Sequence, residues 1–180
     1  MRDAVYRTAI FYINSFWGKP IEMVVGINAL LVSWNTASNR FGLYDSNILL
    51  KCIQDNFTII DEYKSRNIIT LTDLDCDRVK ELFNNFSVAL AAKGKYNAPV
   101  AASKALHILA PNFVPPWDIA IQEEYECRCD SYTDPSKKYL LFCFKIKLIA
   151  TSIKDNICSD KTLIKVIDEY NYSKYTKQWI

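Results

Sequence analysis

Lys104, His107 and Asp118 are the residues whose types and spacing could do chemistry in this chain. Lys104 is the one lysine between Ala98 and Tyr125, and His107 is the one histidine of all 180 residues. The two stand three apart, so on a helix they share a face. A desolvated lysine amine loses its proton more readily and can attack a sugar carbon. A carboxylate can stabilise an oxocarbenium-like sugar or move protons. Each residue also has a plain structural role. Lys104 could lay its stem along packed surface, Asp118 could cap a helix, and His107 could be bonded to a carbonyl or to Asp118. Trp117 is either a core anchor beside the aspartate or a stacking platform for a flipped base. Trp34, Asn35 and Arg40 sit where a polar loop begins, and could line a cleft or form an ordinary capped turn.

The elements that must position these residues are helices. Pro99 suits a first helical turn, where a missing N–H costs nothing. Ala101, Ala102, Ala105, Leu106, Ile108 and Leu109 continue that helix, and Pro111 stops it. Pro115 and Pro116 force an extended link. Asp118 then stands as the N-cap of a short helix over Ile119–Glu126.

Around this stretch the apolar spacing predicts further helices. They run from Asp3 to Ser15, from Glu22 to Trp34, from Asp45-Ser46 to near Lys64, from Asp75 through Leu90, from Ser136 to Ser152, and from Asp160 past Tyr170. Arg66–Leu74 reads as a connector with one short β stretch at Ile68–Leu71. Phe83, Phe86, Leu106, Phe142 and Ile146 are the predicted core. The tail from Asn171, with Tyr172, Tyr175 and Trp179, could fold back. The fold class is therefore all-α: a compact bundle of about seven to nine helices in a single domain over 1–180, which could divide into lobes 1–95 and 96–180.

Composition narrows the function. No apolar run is long enough to cross a membrane, and no signal-peptide core follows the start, so the expected location is the cytoplasm. Six cysteines include Cys127-x-Cys129 but no C-x-x-C pair. A zinc set from Cys127, Cys129 and His107 competes with plain thiols, and the thiols are preferred, so no metal or cofactor is expected. No Ser-His-Asp order, phosphate-binding glycine loop or paired metal carboxylates occur. Residues 98–126 carry one basic and four acidic side chains, while residues 127–180 carry ten basic and six acidic. A nucleic-acid enzyme needs a basic face, and only the second block leans that way.

The pattern S-K-A-L-H-I-L at Ser103–Leu109, followed by V-P-P-W-D-I-A-I at Val114–Ile121, resembles the core of the helix-hairpin-helix DNA glycosylases, the 8-oxoguanine glycosylases among them. It is also similar to uncharacterised prokaryotic proteins that carry S-K-x-L-H and W-D in this order. Lys104 matches the family's Schiff-base lysine, and Asp118 its catalytic aspartate. The resemblance implies a base-excision glycosylase/lyase that needs no cofactor and acts on double-stranded DNA with a damaged base. His107, Trp117, Trp34, Asn35 and Arg40 are then the candidates on the substrate side. The sequence departs from the family before Lys104, where Asn97–Ser103 holds no glycine. Glycine there lets backbone approach a phosphate, and alanine hinders it. The competing expectation is a non-catalytic helical binding or defence-associated module that kept the fold.

Overall fold

A computed structural model describes residues 2–34, 44–93, 95, 97–129, 133–157 and 160–180. Among them are eight α-helices and no strand. Helices α1 (Arg2–Ser15) and α2 (Pro20–Trp34) form a hairpin, turned at Gly18 with φ +79°. They pack tightly: a Cβ placed on Gly26 would lie 2.5 Å from Ile13 Cγ1. Helix α3 (Ser46–Lys64) starts at the Asp45 cap, whose carboxylate accepts from Asn47 N at 2.8 Å.

Residues 66–75 form two 3₁₀ turns, Ile68–Thr70 and Asp73–Asp75, where the sequence predicts a β stretch. The reason is local. Asn67 Oδ1 accepts from Ile69 N at 3.1 Å, and Thr72 and Asp75 close a capping box. The side chain of Arg66 then clasps the connector. Its Nη1 and Nη2 donate to the two oxygens of Asp75 at 2.6 and 2.8 Å, and its guanidinium lies 4.6 Å from the centre of the Phe113 ring. Those bonds, with help from Thr72, hold the buried Asp75 carboxyl down at about 2.

Helix α4 (Cys76–Ala89) leads to α5 (Pro99–Leu109), which packs against α1, α2 and α4. Every residue of α5 from Ala101 to Leu109 is buried. Proline sets both of its ends as expected, since the helix opens on Pro99 and closes two residues before Pro111. Helix α6 (Ile119–Glu124) is two residues shorter than the sequence predicts. Helix α7 (Pro135–Ile153) starts at Asp134. Helix α8 (Leu163–Asn171) begins after Thr162 rather than at Asp160, because the Thr162 hydroxyl accepts from Lys165 N at 3.1 Å. A π-helical turn, Tyr172–Thr176, follows.

The buried side chains form one cluster. Part of it is an aromatic group. Phe83 stacks on Tyr139 with ring centres 4.1 Å apart, and Trp117 lies 5.9 Å from Phe83 and 6.1 Å from Phe142. Phe83, Phe86, Leu106, Phe142 and Ile146 are all buried, as the apolar stripes predict. Phe142 touches Trp117, Tyr125 and Tyr139, so no neighbour can collapse into its place without giving up another contact. Phe142→Ala should therefore cost about 3–5 kcal/mol in reversible urea denaturation. A loss below about 1 kcal/mol would show that α7 lies at the periphery.

Candidate functional site

Three side chains of α5 anchor the surrounding backbone. Ser103 Oγ accepts from Trp117 N at 3.0 Å and lies within donating distance of Val100 O and Trp117 O, at 3.0 and 3.2 Å. Lys104 Nζ donates to Trp34 O, on the last residue of α2, at 2.7 Å. His107 Nδ1 is 2.8 Å from Val114 O and donates to it, since a carbonyl can only accept. Val114 and Trp117 bracket Pro115-Pro116, and Tyr139 Oη holds Pro115 O at 2.8 Å. The extended link is thus fixed at three residues, Val114, Pro115 and Trp117, and it delivers Asp118 to the start of α6. Asp118 Oδ1 accepts from Ile121 N at 3.0 Å, and Oδ2 accepts from Thr176 Oγ1 at 3.0 Å.

Lys104 and Asp118 open onto the same cavity, of about 590 Å³. Trp34, Pro116 and Trp117 form its wall on the α5 side, and Asp3 of α1 joins them. The facing wall comes from α8 and the residues after it: Lys165, Asp168, Glu169, Tyr172, Ser173, Lys177 and Trp179. Of the residues singled out in the sequence, Lys104, Asp118, Trp117 and Trp34 thus come together. His107 does not line the cavity. It is buried and stacked on Tyr6, with ring centres 5.5 Å apart, and Tyr6 stacks on Trp34 at 5.3 Å. Asn35 and Arg40 lie outside the described residues.

The α8 wall is a part of the site that sequence reasoning missed. Lys165, Asp168 and Glu169 sit at i, i+3 and i+4 and look like the solvated face of an amphipathic helix. In the fold, Lys165 Nζ is buried, 3.2 Å from Asp168 Oδ2 and 3.6 Å from Glu169 Oε1. It also stands 4.6 Å from the centre of the Tyr6 ring and 5.0 Å from that of Trp34. Burial pushes the Asp168 carboxyl above its ordinary range. Lys165 and Lys104 pull it back, and Asp118 adds to the rise. Burial also pushes the Tyr6 phenol up, reinforced by Asp168, Glu169 and Asp3. Lys104 is therefore not the only amine here, because Lys165 and Lys177 share its cavity.

The cysteines among the described residues do not line this cavity. Cys127 is buried, and its Sγ is 3.1 Å from Tyr125 O. Burial raises its thiol. Among the described residues no group of three His, Cys, Asp or Glu side chains is placed to hold a metal ion, so the zinc set of Cys127, Cys129 and His107 is not assembled. Ala101, Ala102 and Ser103 are the residues just before Lys104, where the sequence holds no glycine. They are buried within α5 and present no backbone to a phosphate. None of the helices among the described residues is long and apolar enough to cross a membrane.

His107 gives the site a measurable signature. Its Nε2 is buried with no hydrogen-bond partner, and burial pushes the ring down to about 3. The unfolded ring takes a proton near pH 6.5, whereas the folded ring stays neutral. Stability is therefore full above about pH 6.5 and falls as the pH drops from there toward 3. One proton is worth about 1.4 kcal/mol per pH unit, so lowering the pH from 7.5 to 5 should cost about 2 kcal/mol. Urea denaturation at the two pH values measures this, and the same comparison on His107→Asn separates the histidine's share from that of the raised Asp168 carboxyl. An imidazole NMR titration near pH 6.5 in the folded protein would show that the ring reaches water.

No protein-family model, curated protein or solved structure matches the chain.

Proposed function

We propose that the cavity receives a nucleoside swung out of double-stranded DNA, and that the chain acts as a base-excision glycosylase/lyase through Lys104 and Asp118. The observation that carries this reading is that the Lys104 amine and the Asp118 carboxylate, fourteen positions apart, open onto one cavity of about 590 Å³. That volume lies within the roughly 300–1,000 Å³ range of small-ligand pockets. Trp34, Tyr172 and Trp179 on the walls supply the flat apolar surface that a base stacks on.

The chemistry assigns each group a task. The Lys104 ammonium first gives up its proton. Asp168, which lies within electrostatic reach of it, is the wall carboxylate suited to accept. The free amine attacks the anomeric carbon. The C–N bond to the base breaks, and its electron pair leaves with the base. Asp118 faces the positive charge that gathers on the sugar as the bond breaks. Asp168 passes its proton to the departing base, and as the bond from the anomeric carbon to the ring oxygen breaks, that oxygen takes a proton from the lysine nitrogen and leaves a protonated imine on Lys104.

A second reading has its own support. Lys104 is engaged by Trp34 O, and both oxygens of Asp118 hold protein hydrogen bonds. Such groups suit a pocket that holds a ligand without cleaving it. Borohydride trapping separates the two. The wild type should be captured covalently on one of a panel of duplexes carrying 8-oxoguanine, uracil, alkylated bases or an abasic site. Lys104→Ala should abolish capture. Lys165→Ala should keep it, since that ammonium is tied to Asp168 and Glu169. Asp118→Asn should slow capture by about 100-fold or more and leave binding nearly intact, because its charge acts in the transition state. Binding at low salt without capture would leave the non-catalytic reading, and no binding at all would end the nucleic-acid reading.

A further inference from the structure

The geometry points to residues 172–180 being a displaceable strap. In this strap the Thr176 hydroxyl sits on the Asp118 carboxylate as a stand-in for a ligand's own hydrogen-bond donor. The inference rests on the proposed reading only in treating the cavity as a ligand site, and it does not require that any bond be cleaved.

Three observations carry it. First, Asp118 uses its two oxygens differently. Oδ1 is committed to the fold, capping α6 through Ile121 N at 3.0 Å. Oδ2 is held by a side chain from a distant part of the chain, Thr176, at 3.0 Å, and Asp118 itself lines the cavity. Second, the strap covers the cavity. Tyr172, Ser173, Lys177 and Trp179 all line it, so lifting the strap would uncover one wall. Third, the strap is weakly held. No residue of the Tyr172–Thr176 turn is buried, and Trp179 is 70% exposed even though it lines the cavity. Gln178 adopts φ +54°, a left-handed conformation that a non-glycine residue adopts only at a cost. Beyond the bonds inside the π-helical turn itself, the strap's backbone adds Lys177 N to Tyr172 O and Trp179 N to Ser173 O, both at 2.9 Å and both within the strap. An edge contact between Tyr175 and Tyr125, with ring centres 6.4 Å apart, adds a second anchor beside Thr176. Segments with little burial and exposed backbone bonds open locally, well before the domain unfolds.

The chemical class of the ligand follows from what the strap supplies. A carboxylate oxygen only accepts, so whatever replaces Thr176 must carry a hydroxyl or an N–H. As the strap lifts, Tyr172 and Trp179, whose rings meet edge to face 6.3 Å apart, move with it. They offer apolar surface to the flat part of the incoming molecule. A hydroxylated or N–H-bearing planar ligand, such as a nucleoside, meets both demands.

Hydrogen exchange read by mass spectrometry on the full chain tests the strap without any ligand. Peptides spanning 172–180 in the wild type should exchange at least about 100-fold faster than those from α5, which open only with the whole domain. Thr176→Val removes the hydroxyl at nearly constant volume. It should speed exchange in 172–180 by about a further tenfold, the effect of losing one hydrogen bond to a carboxylate. Thr176→Ser should exchange like the wild type, and the thermal midpoint should be the same in all three proteins. Exchange of 172–180 in step with α5, or equal rates in the wild type and Thr176→Val, would overturn the strap. Borohydride trapping on the same DNA panel adds a second arm, in which Thr176→Val should be captured faster than the wild type. If no duplex is captured but the exchange pattern holds, the strap stands and the glycosylase reading falls. If a duplex is captured and Thr176→Val changes neither exchange nor capture, the strap alone falls.

Discussion

The structure depends on one constraint: a helix buried along nearly its whole length carries a serine, a lysine and a histidine, and each polar group needs a partner. An unpartnered buried polar group costs about 1–3 kcal/mol, and an unpaired charge costs more. The chain partners Ser103, Lys104 and the Nδ1 of His107 with backbone, at Trp117, Trp34 and Val114, and leaves His107 Nε2 without a bond. These three bonds fix the positions of other elements. They join the end of α2 to α5 and press the Pro115-Pro116 link against the same helix. Asp118 is placed by that arrangement, before its own capping bond is counted. The candidate site is therefore a by-product of how a buried helix disposes of its polar atoms.

Much of this was legible in the sequence because local rules and tertiary packing agree. Pro99 and Pro111 bound α5, Asp45 and Asp118 cap their helices, and the apolar stripes of α4 and α7 point inward. The misses have a common cause. Ile68-Ile69-Thr70-Leu71 has a β-prone composition, but Asn67 and Thr72 on either side close it into turns. Asp160 and Thr162 are both capping residues by type. The choice falls on Thr162, whose hydroxyl also lies 3.3 Å from Pro111 O, a contact fifty-one residues away in sequence. Lys165, Asp168 and Glu169 go unmarked in the sequence because their spacing says nothing about what stands opposite. Only the approach of Tyr6 and Trp34 turns them into a wall of the cavity.

The cavity's charges are arranged in opposition. Lys165 is held between Asp168 and Glu169 and over two aromatic rings, so its ammonium is matched from several sides. Asp168 feels Lys104 and Lys165 in one direction and Asp118 and its own burial in the other. A group balanced in this way responds strongly to a small change in its surroundings. Adding or removing one charge in the cavity would shift Asp168 and, through it, the field at Lys104.

The bond from Lys104 to Trp34 has a bearing on how related sequences should be compared. Trp34 O lies in the last described turn of α2, and the Lys104 ammonium ties it to α5. A lysine ammonium serves the fold at that spot, whatever else it does. Selection for a stable fold alone would keep a long cationic side chain there, and a lineage that had lost every trace of catalysis would still show the lysine. Asp118 is kept on the same ground, because it caps α6, so Thr176 is the member of the carboxylate–hydroxyl pair that the helix cap does not require.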